Sequence, residues 1–340
     1  MEPILIGDCE ILVGHGLPRP LLPESVIRRR AVVITQPGAE TVAQEIGEQL
    51  STEGLDVFTH TLPDREEAKS LEAVSAVYAA LAEHELGRGD TVIGVGGGAV
   101  TDAAGFIAGT WMRGVELVLV PTTLLGAVDA SIGGKTAVNF AGKNLVGVFW
   151  PARRVAVDLS ILEALPPELK REGAAEVIKA GFLAVPEIVD AYGRHGVDTP
   201  LEEVVGAAIR VKADIVSRDL TEQGDRALLN LGHTIGHAVE FASGISHGEA
   251  VAIGLVAAAA VSEARLGFRH SDLVRSTLQT TGLPTKSPPV PRDQLLELVG
   301  RDKKRLAGTV RMVLLEDVGK PHLLDVGPDD IQLGMDAIGL

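Results

Sequence analysis

Residues 90–102 read DTVIGVGGGAVTD. An apolar run that stops in glycines and restarts as a helix-compatible stretch predicts a strand at Asp90–Val95, a tight turn, and a helix opening near Asp102. Glycines let a backbone come close to a phosphate group, and a helix N-terminus supplies unpaired amide donors and the positive end of a dipole. The run GVGGGAVTD, Gly94–Asp102, is not the GxGxxG fingerprint. A bare glycine turn is the competing account, but the strand–glycine–helix setting makes pyrophosphate binding the stronger one. Asp102 falls in the first helical turn, placed either to cap the helix or to reach a ribose hydroxyl.

Working outward, strand and helix signals alternate. Ala31–Thr35, Asp56–Thr61 and Val115–Val120 read as strands, and Ala39–Gly54 and Glu66–Leu86 as helices. Such alternation implies a parallel sheet with helices on both faces. Beyond about Leu162 the pattern turns helical, over Pro166–Val185, Leu201–Ser217, Ala227–Ala242, Glu249–Leu266 and Ser271–Thr281, with a weak strand pair at Val310–Leu315 and His322–Val326. Pro284–Pro291 reads as a loop between helices. The expectation is a Rossmann-like α/β nucleotide-binding domain over residues 1–160 and a mostly α-helical metal- and substrate-binding domain over residues 161–340.

The chain has 340 residues and a net charge of −15, which argues against nucleic acid as a partner because phosphate backbones need a basic surface. A single cysteine, Cys9, excludes an internal disulfide and fits a reducing, cytoplasmic compartment. The N-terminal stretch MEPILIGDCE lacks a basic start followed by a long apolar run, so no secretory signal is expected. The longest apolar run, Ala250–Val261, is too short to span a bilayer and reads as a buried helix, so no membrane partner is expected.

The densest chemistry lies at Asn230–Glu249, NLGHTIGHAVEFASGISHGE. It holds three of the nine histidines, His233, His237 and His247. His233 and His237 are four apart, one turn along a helix, and imidazole is a common zinc ligand. Glu176, in REGAAEVIKAGF (Arg171–Phe182), sits among small apolar residues, where a carboxylate needs a cation or a metal. With His233 and His247 it makes three protein ligands of the kind catalytic zinc uses, while a helix salt bridge accounts for it nearly as well. Arg226 and Asn230 precede His233 at spacings that put guanidinium, amide and imidazole side by side on one helix. Thr122 and Thr123 close a strand, at the edge where ligands gather in open α/β sheets. Val128–Gly147 places Asp129, Lys135, Lys143 and Asn144 among glycines, a loop suited to phosphate or carboxylate oxygens unless it is merely solvated. RDKK, Arg301–Lys304, is a basic knot that by itself reads as a solvated charge run.

In this order, PDREEAK, GGGAVTD, WMRG, PTT, VDASIGGKT, GKNLVG, AEVIK, LLNLGHTIGH, HGEAVAIG and RDKK resemble the 3-dehydroquinate synthase family of the sugar-phosphate cyclases over nearly the whole chain. The resemblance implies bound NAD, a divalent metal (zinc or cobalt), a phosphorylated seven-carbon keto acid as substrate, and a homodimer. It implies Glu176, His233 and His247 as metal ligands and His237 near the phosphate and the leaving proton. Arg113, Lys135 and Asn144 would meet the phosphate. Lys212, Arg226, Asn230 and a lysine of the knot, Lys303 or Lys304, would meet carboxylate and hydroxyls, with Asp129 facing hydroxyls. NAD would lie on Gly97, Gly98, Asp102, Thr122, Thr123, Lys135 and Lys143, with Asp64, Glu66, Lys69, Ile161 and Ala164 closing over it.

The implied reaction converts 3-deoxy-D-arabino-heptulosonate 7-phosphate to 3-dehydroquinate. It runs through transient oxidation by NAD, phosphate elimination, re-reduction and intramolecular aldol closure. Four departures stand out. The Lys135–Lys143 loop is one residue shorter than the pattern, Arg65 replaces a usual glycine, FWPARR (Phe149–Arg154) replaces the usual run, and TQPG (Thr35–Gly38) lacks an acidic ribose-binding residue. The alternatives are a related cyclase of the amino-dehydroquinate or valiolone synthase type and, further off, a metal-dependent polyol dehydrogenase.

Overall fold

The computed structural model describes residues 2–24, 29–220, 224–305 and 310–340, with residues 301–305 described by their backbone alone. The chain divides into two compact units, Met1–Leu165 and Pro166–Leu340.

The first unit runs β1 (Ile4–Ile6), β2 (Cys9–Gly14), β3 (Arg30–Thr35), α1 (Glu40–Thr52), β4 (Asp56–Thr61), α2 (Leu71–Glu83), β5 (Thr91–Gly96), α3 (Gly98–Thr110), β6 (Glu116–Pro121), β7 (Lys135–Val138), β8 (Val146–Phe149), β9 (Arg154–Asp158) and α4 (Leu159–Glu163). Seven strands form one sheet in the order β1-β2-β9-β6-β5-β3-β4. All its pairings are parallel except β1 with β2 at one edge. Residue parity divides the two faces, as a period of two requires. Ala31, Val33, Ile93, Val95, Val118, Val120 and Ala156 share a core with Ala43, Ile46 and Leu50, which recur at helical spacing on α1. Gly94 faces the other way. A Cβ there would lie 2.8 Å from the Ala104 methyl of α3 and 2.9 Å from the Leu119 side chain, so α3 packs against β5 at a distance only glycine allows. Helices thus cover both faces of the sheet, as the alternating pattern implies.

The second unit runs α5 (Pro167–Ala184), α6 (Pro186–His195), α7 (Leu201–Arg218), α8 (His233–Ser243), α9 (His247–Leu266), α10 (Ser271–Thr280), α11 (Arg292–Arg305), β10 (Val310–Asp317), β11 (Lys320–Val326) and α12 (Pro328–Ala337). Helix α9 is apolar nearly all round and buried along most of its length, and α5, α8, α10, α12 and β10 pack on it. It starts at a capping box. Ser246 Oγ accepts from the Glu249 amide, and Glu249 accepts from the Ser246 amide at 3.0 Å. No described helix is long and apolar enough to cross a membrane.

Three expected elements differ. Glu66–Leu86 is not one helix. Asp64 caps a 3₁₀ turn at Arg65–Lys69, and Ser70 then caps α2, so two side-chain caps divide the stretch. Val128–Gly147 is not an open loop, because Gly126–Ala130 forms a π turn and β7 and β8 pair as a hairpin with Lys135 opposite Phe149. Ala227–Ala242 is also interrupted. A 3₁₀ turn covers Asp225–Asn230, and α8 begins only at His233, after Gly232 at φ +81°. A Cβ at Gly232 would lie 3.0 Å from the Leu255 amide and 3.1 Å from the Val251 carbonyl, so packing against α9 sets the break. Helices α6, α11 and α12 carried no distinct signal in the sequence reading.

The α8–α9 contact generates a stability prediction. A Cβ at Gly254 would sit 1.7 Å from the Gly232 carbonyl oxygen, which is backbone and cannot step aside. Gly254→Ala is expected to destabilise the second unit by about 1–3 kcal/mol or more, the usual cost of overpacking. Gly47→Ala would meet only Val57, at an ordinary 3.9 Å, and is expected to stabilise α1 by about 0.5–1 kcal/mol. Denaturant unfolding of the two variants should move in opposite directions.

Candidate functional site

Three helices bring Glu176, His233 and His247 together. Glu176 lies in α5, His233 is the first residue of α8 and His247 the first of α9. Their approach requires bare backbone at the contacts. A Cβ at Gly236 would stand 2.6 Å from the Ala250 carbonyl oxygen, and one at Gly248 would stand 2.2 Å from that of Glu172. One donor atom from each of the three residues falls within a sphere of mutual distances under 4.8 Å.

Glu176 is 4 % exposed. Its Oε2 is ion-paired with Lys179, one turn along α5. Its Oε1 is buried with no hydrogen-bond partner and stands 3.5 Å from Nε2 of both His233 and His247. That spacing is too long for a good hydrogen bond. It matches the roughly 3.3 Å edge of a tetrahedron built on zinc–ligand bonds of about 2.0–2.1 Å. The rings are oriented from behind. His233 Nδ1 lies 3.1 Å from the Leu231 carbonyl, so Nδ1 carries the proton and Nε2 presents its lone pair to Glu176. His247 Nδ1 lies 3.1 Å from Glu240 Oε2, so it donates there and leaves Nε2 facing Glu176. The donor set and the bare oxygen between two imidazoles fit a divalent cation.

The charges agree with this arrangement. Burial pushes the Glu176 carboxyl up, but Lys179, with His247 and His233, overcomes it and holds the group well below the usual carboxylate range. Burial and Lys179 push His233 down to about 3, which leaves it neutral, as a ligand must be. Burial also opposes the charge on His247, but the neighbouring Glu176 and Glu240 carboxylates raise it to about 10. A cation at the centre would take the place of that proton.

His237, Glu240 and His247 form a second, more exposed donor group. The His247–Glu240 distance of 3.1 Å is a hydrogen bond, so the Glu176 set is the better metal site. The His237 ring stands edge-on to His233 at 4.8 Å between centroids and is open to solvent. Asn230, His233 and His237 line a cavity of about 240 Å³, together with Thr234 and with Arg311 of β10. Arg311 was missed in the sequence because its weak strand gave no chemical signal.

The interrupted helix changes the expectation for Arg226. It is 2 % exposed, its Nη1 donates to the Leu220 carbonyl, and it does not line that cavity. A 3₁₀ turn and the Gly232 break separate it from His233, so the two do not share one helix face. Lys212 is half-buried on α7. Lys303 and Lys304 lie in the last turns of α11, and their side chains fall outside the described residues.

In the first unit, Gly97 caps α3 at the C-terminal end of β5. A Cβ at Gly97 would reach within 3.2 Å of Thr123 Cγ2 and 3.8 Å of Gln36 Nε2, so these side chains crowd an open backbone turn. Gly98 opens the helix, and Thr122 is buried beside it, its amide donating to the Gly96 carbonyl. Gln36 carried no signal beyond its place after a strand. Lys69 is 2 % exposed and donates to Asp102 at 2.5 Å and to Asn144. Asn139 donates to Glu66 at 2.8 Å and accepts from the Asn144 amide. This polar network ties the Asp64–Lys69 turn to α3 and to the tip of the β7–β8 hairpin. Asn144 therefore stands with the residues expected on the cofactor side. Lys135 and Lys143 are exposed on the hairpin, and Asp129 is half-buried in the π turn. Arg113 is exposed at φ +68°, after Met112 at φ +50°. Ile161 lies in α4 and Ala164 at its C-cap.

A glycine turn at the carboxyl edge of a parallel sheet, and a helical unit with a Glu–His–His cluster, define a cyclase-type architecture. The chain superimposes on a 2-deoxy-scyllo-inosose synthase solved with carbaglucose-6-phosphate, NAD+ and Co2+, with a TM-score of 0.84, 27 % identity, and coverage of 98 % of this chain and 99 % of that one. A 2-epi-5-epi-valiolone synthase from Streptomyces hygroscopicus subsp. jinggangensis 5008, solved with NAD+ and Zn2+, gives 0.85 and 27 %, covering 96 % of each. The sequence match is closer to another branch. The 3-dehydroquinate synthase of Corynebacterium jeikeium (strain K411) is 44 % identical over 312 residues, 88 % of this chain and 84 % of that protein. Family models for the N-terminal and C-terminal parts of 3-dehydroquinate synthase match residues 59–172 and 173–305. The chain belongs to the 3-dehydroquinate synthase family.

Asp102 offers a pH test. Burial, only partly offset by Lys69, raises its carboxyl from 3.8 to about 6. A carboxyl raised on folding favours the folded state most fully below pH 3.8, and this advantage is lost as pH rises through about 6. Carboxyl-resolved NMR titration of the cofactor-free chain should show a midpoint near 6, moving higher in Lys69→Met, where the offsetting ammonium is gone. A midpoint that stays put in the variant would contradict the pairing.

Proposed function

We propose that the chain converts 3-deoxy-D-arabino-heptulosonate 7-phosphate to 3-dehydroquinate and inorganic phosphate, as a cytoplasmic homodimer that carries NAD and one zinc or cobalt ion per chain. The observation that carries this reading is the bare, buried Glu176 Oε1 between two imidazole nitrogens, in a chain of this family. The 44 % identity to a 3-dehydroquinate synthase, against 27 % to cyclases of other sugar phosphates, supports the substrate. When bound, NAD would accept and return one hydride, and the divalent ion would supply a fixed positive charge for the substrate's vicinal hydroxyls.

The protein's own groups bind and orient. Glu176, His233 and His247 would hold the ion. Gly97, Gly98 and the N-terminus of α3 would take the pyrophosphate, flanked by Thr122 and Thr123. Asp102, kept in place by Lys69, would accept from a ribose hydroxyl. The open ring of His237 can hold or release a proton beside the metal cluster. Arg113 and Lys135 are the proposed phosphate contacts, with Lys143 and Asn144 toward the cofactor and Asp129 toward hydroxyls. On the second unit, Asn230 and Arg311 face the cavity beside His233, a donor pair suited to an anionic oxygen. Lys212 and Lys303 or Lys304 complete the proposed cationic contacts.

Phosphate release from the heptulosonate phosphate should be catalytic in NAD, without net NADH, and should stop on exhaustive chelation and return with zinc or cobalt. Full activity in the chelated protein would sink the metal reading. Preferred turnover of sedoheptulose 7-phosphate, which lacks the carboxylate, would assign another cyclase. Gly97→Ala puts a methyl group into the turn and should weaken NAD binding roughly tenfold or more, about one charge-assisted hydrogen bond, with the fold retained by circular dichroism.

A further inference from the structure

The two histidines facing Glu176 are held by different kinds of group. Behind His233 stands a neutral backbone carbonyl, that of Leu231, at 3.1 Å. Behind His247 stands a carboxylate, Glu240 Oε2, also at 3.1 Å. Glu240 belongs to α8, the helix that begins with His233, whereas His247 begins α9. The Glu240 side chain is 16 % exposed and that of His247 23 %, so the pair is only partly shielded by water.

From this geometry we infer that Glu240 is a positioning residue for the metal centre. Its carboxylate fixes the proton of His247 on Nδ1, aims Nε2 at Glu176 Oε1, and makes that nitrogen a stronger donor. A ring hydrogen-bonded to a carboxylate is more basic at its other nitrogen than one bonded to a carbonyl. Two consequences follow from the placement. The His247 ring is held on one side by Glu240 and on the other faces the Glu176 oxygen that it would share with the ion. Glu240 also links the two ligand-bearing helices, so the orientation of the α9 ligand depends on a residue two turns along the α8 ligand's own helix. Glu240 bonds to the His247 ring, and its effect on the ion passes through that ring.

The inference rests on the metal reading above, and its test reads metal affinity, independent of turnover. The full-length chain is stripped of metal, and zinc affinity is measured by competition with a chromophoric chelator for the parent, Glu240→Gln, His247→Ala and the double variant. Glu240→Gln keeps the size of the side chain and an acceptor oxygen but loses the charge. It is expected to weaken zinc binding by about 10- to 100-fold, the range found when a carboxylate behind a ligating histidine is lost. In the His247→Ala background the same change should have almost no further effect, because the ring it acts through is gone. The visible absorption of the cobalt-loaded protein should shift in Glu240→Gln as the His247 ring reorients. Unchanged zinc affinity in Glu240→Gln overturns the inference, and so does an equal loss in both backgrounds, which would mean that Glu240 acts on the fold. A parent chain that takes up no zinc overturns the metal reading together with this one. A parent that binds zinc as tightly as its Glu240→Gln variant overturns only the role of Glu240.

Discussion

A carboxylate buried to 4 % exposure, with one oxygen on a lysine and the other left bare, is the constraint on which the second unit is arranged. Burying an ionised carboxylate is expensive unless positive charge and hydrogen bonds are brought to it. Lys179 meets half of that demand from the same helix. The other half comes from two histidines at the starts of α8 and α9, which reach Glu176 only because Gly232, Gly236, Gly248 and Gly254 remove the side chains that would hold the backbones apart. Close packing and charge compensation are therefore one problem here. A methyl group at any of these contacts would push away a donor that the carboxylate needs.

The first unit meets a similar demand differently. Lys69 is almost fully buried and shared between Asp102 and Asn144. It joins a 3₁₀ turn, a helix N-terminus and a hairpin tip through charge. A glycine turn leaves backbone amides open at the edge of a sheet whose packing is otherwise apolar, and the buried lysine holds the acidic side chain nearest that turn. In both units the polar groups are few and mutually dependent, and they stand on elements fixed by aliphatic packing. This suits the proposed task of orienting a cofactor and a substrate while the cofactor carries the hydride.

Much of this was legible in the residues. The strand and period-3.6 patterns located β3, β4, β5, β6, α1, α5, α7, α9 and α10 to within a few positions, while the parallel strands β2 and β9 went unread. Histidines at a helical spacing, and a glutamate among alanines and valines, pointed to a cation before any fold was known. The helix boundaries that failed did so for identifiable reasons. Asp64 and Ser70 cap separate elements within one helix-favouring stretch. The break at Gly232 is imposed by the backbone of α9, a contact invisible in local propensity.

Composition and motif order determined the class of fold, the acidic character that disfavours nucleic acid, the glycine turn, and the residue types able to hold a metal. Only the tertiary structure decided which of them meet. It placed the bare Glu176 oxygen 3.5 Å from two imidazoles, took Arg226 off the helix face of His233, brought Arg311 to the cavity, and set Glu240 behind His247. The reason is physical. Local sequence sets what a segment prefers and what its side chains can do. The distances between donors from different helices depend on how closely those helices can pack, and that is fixed by contacts between residues far apart in the chain.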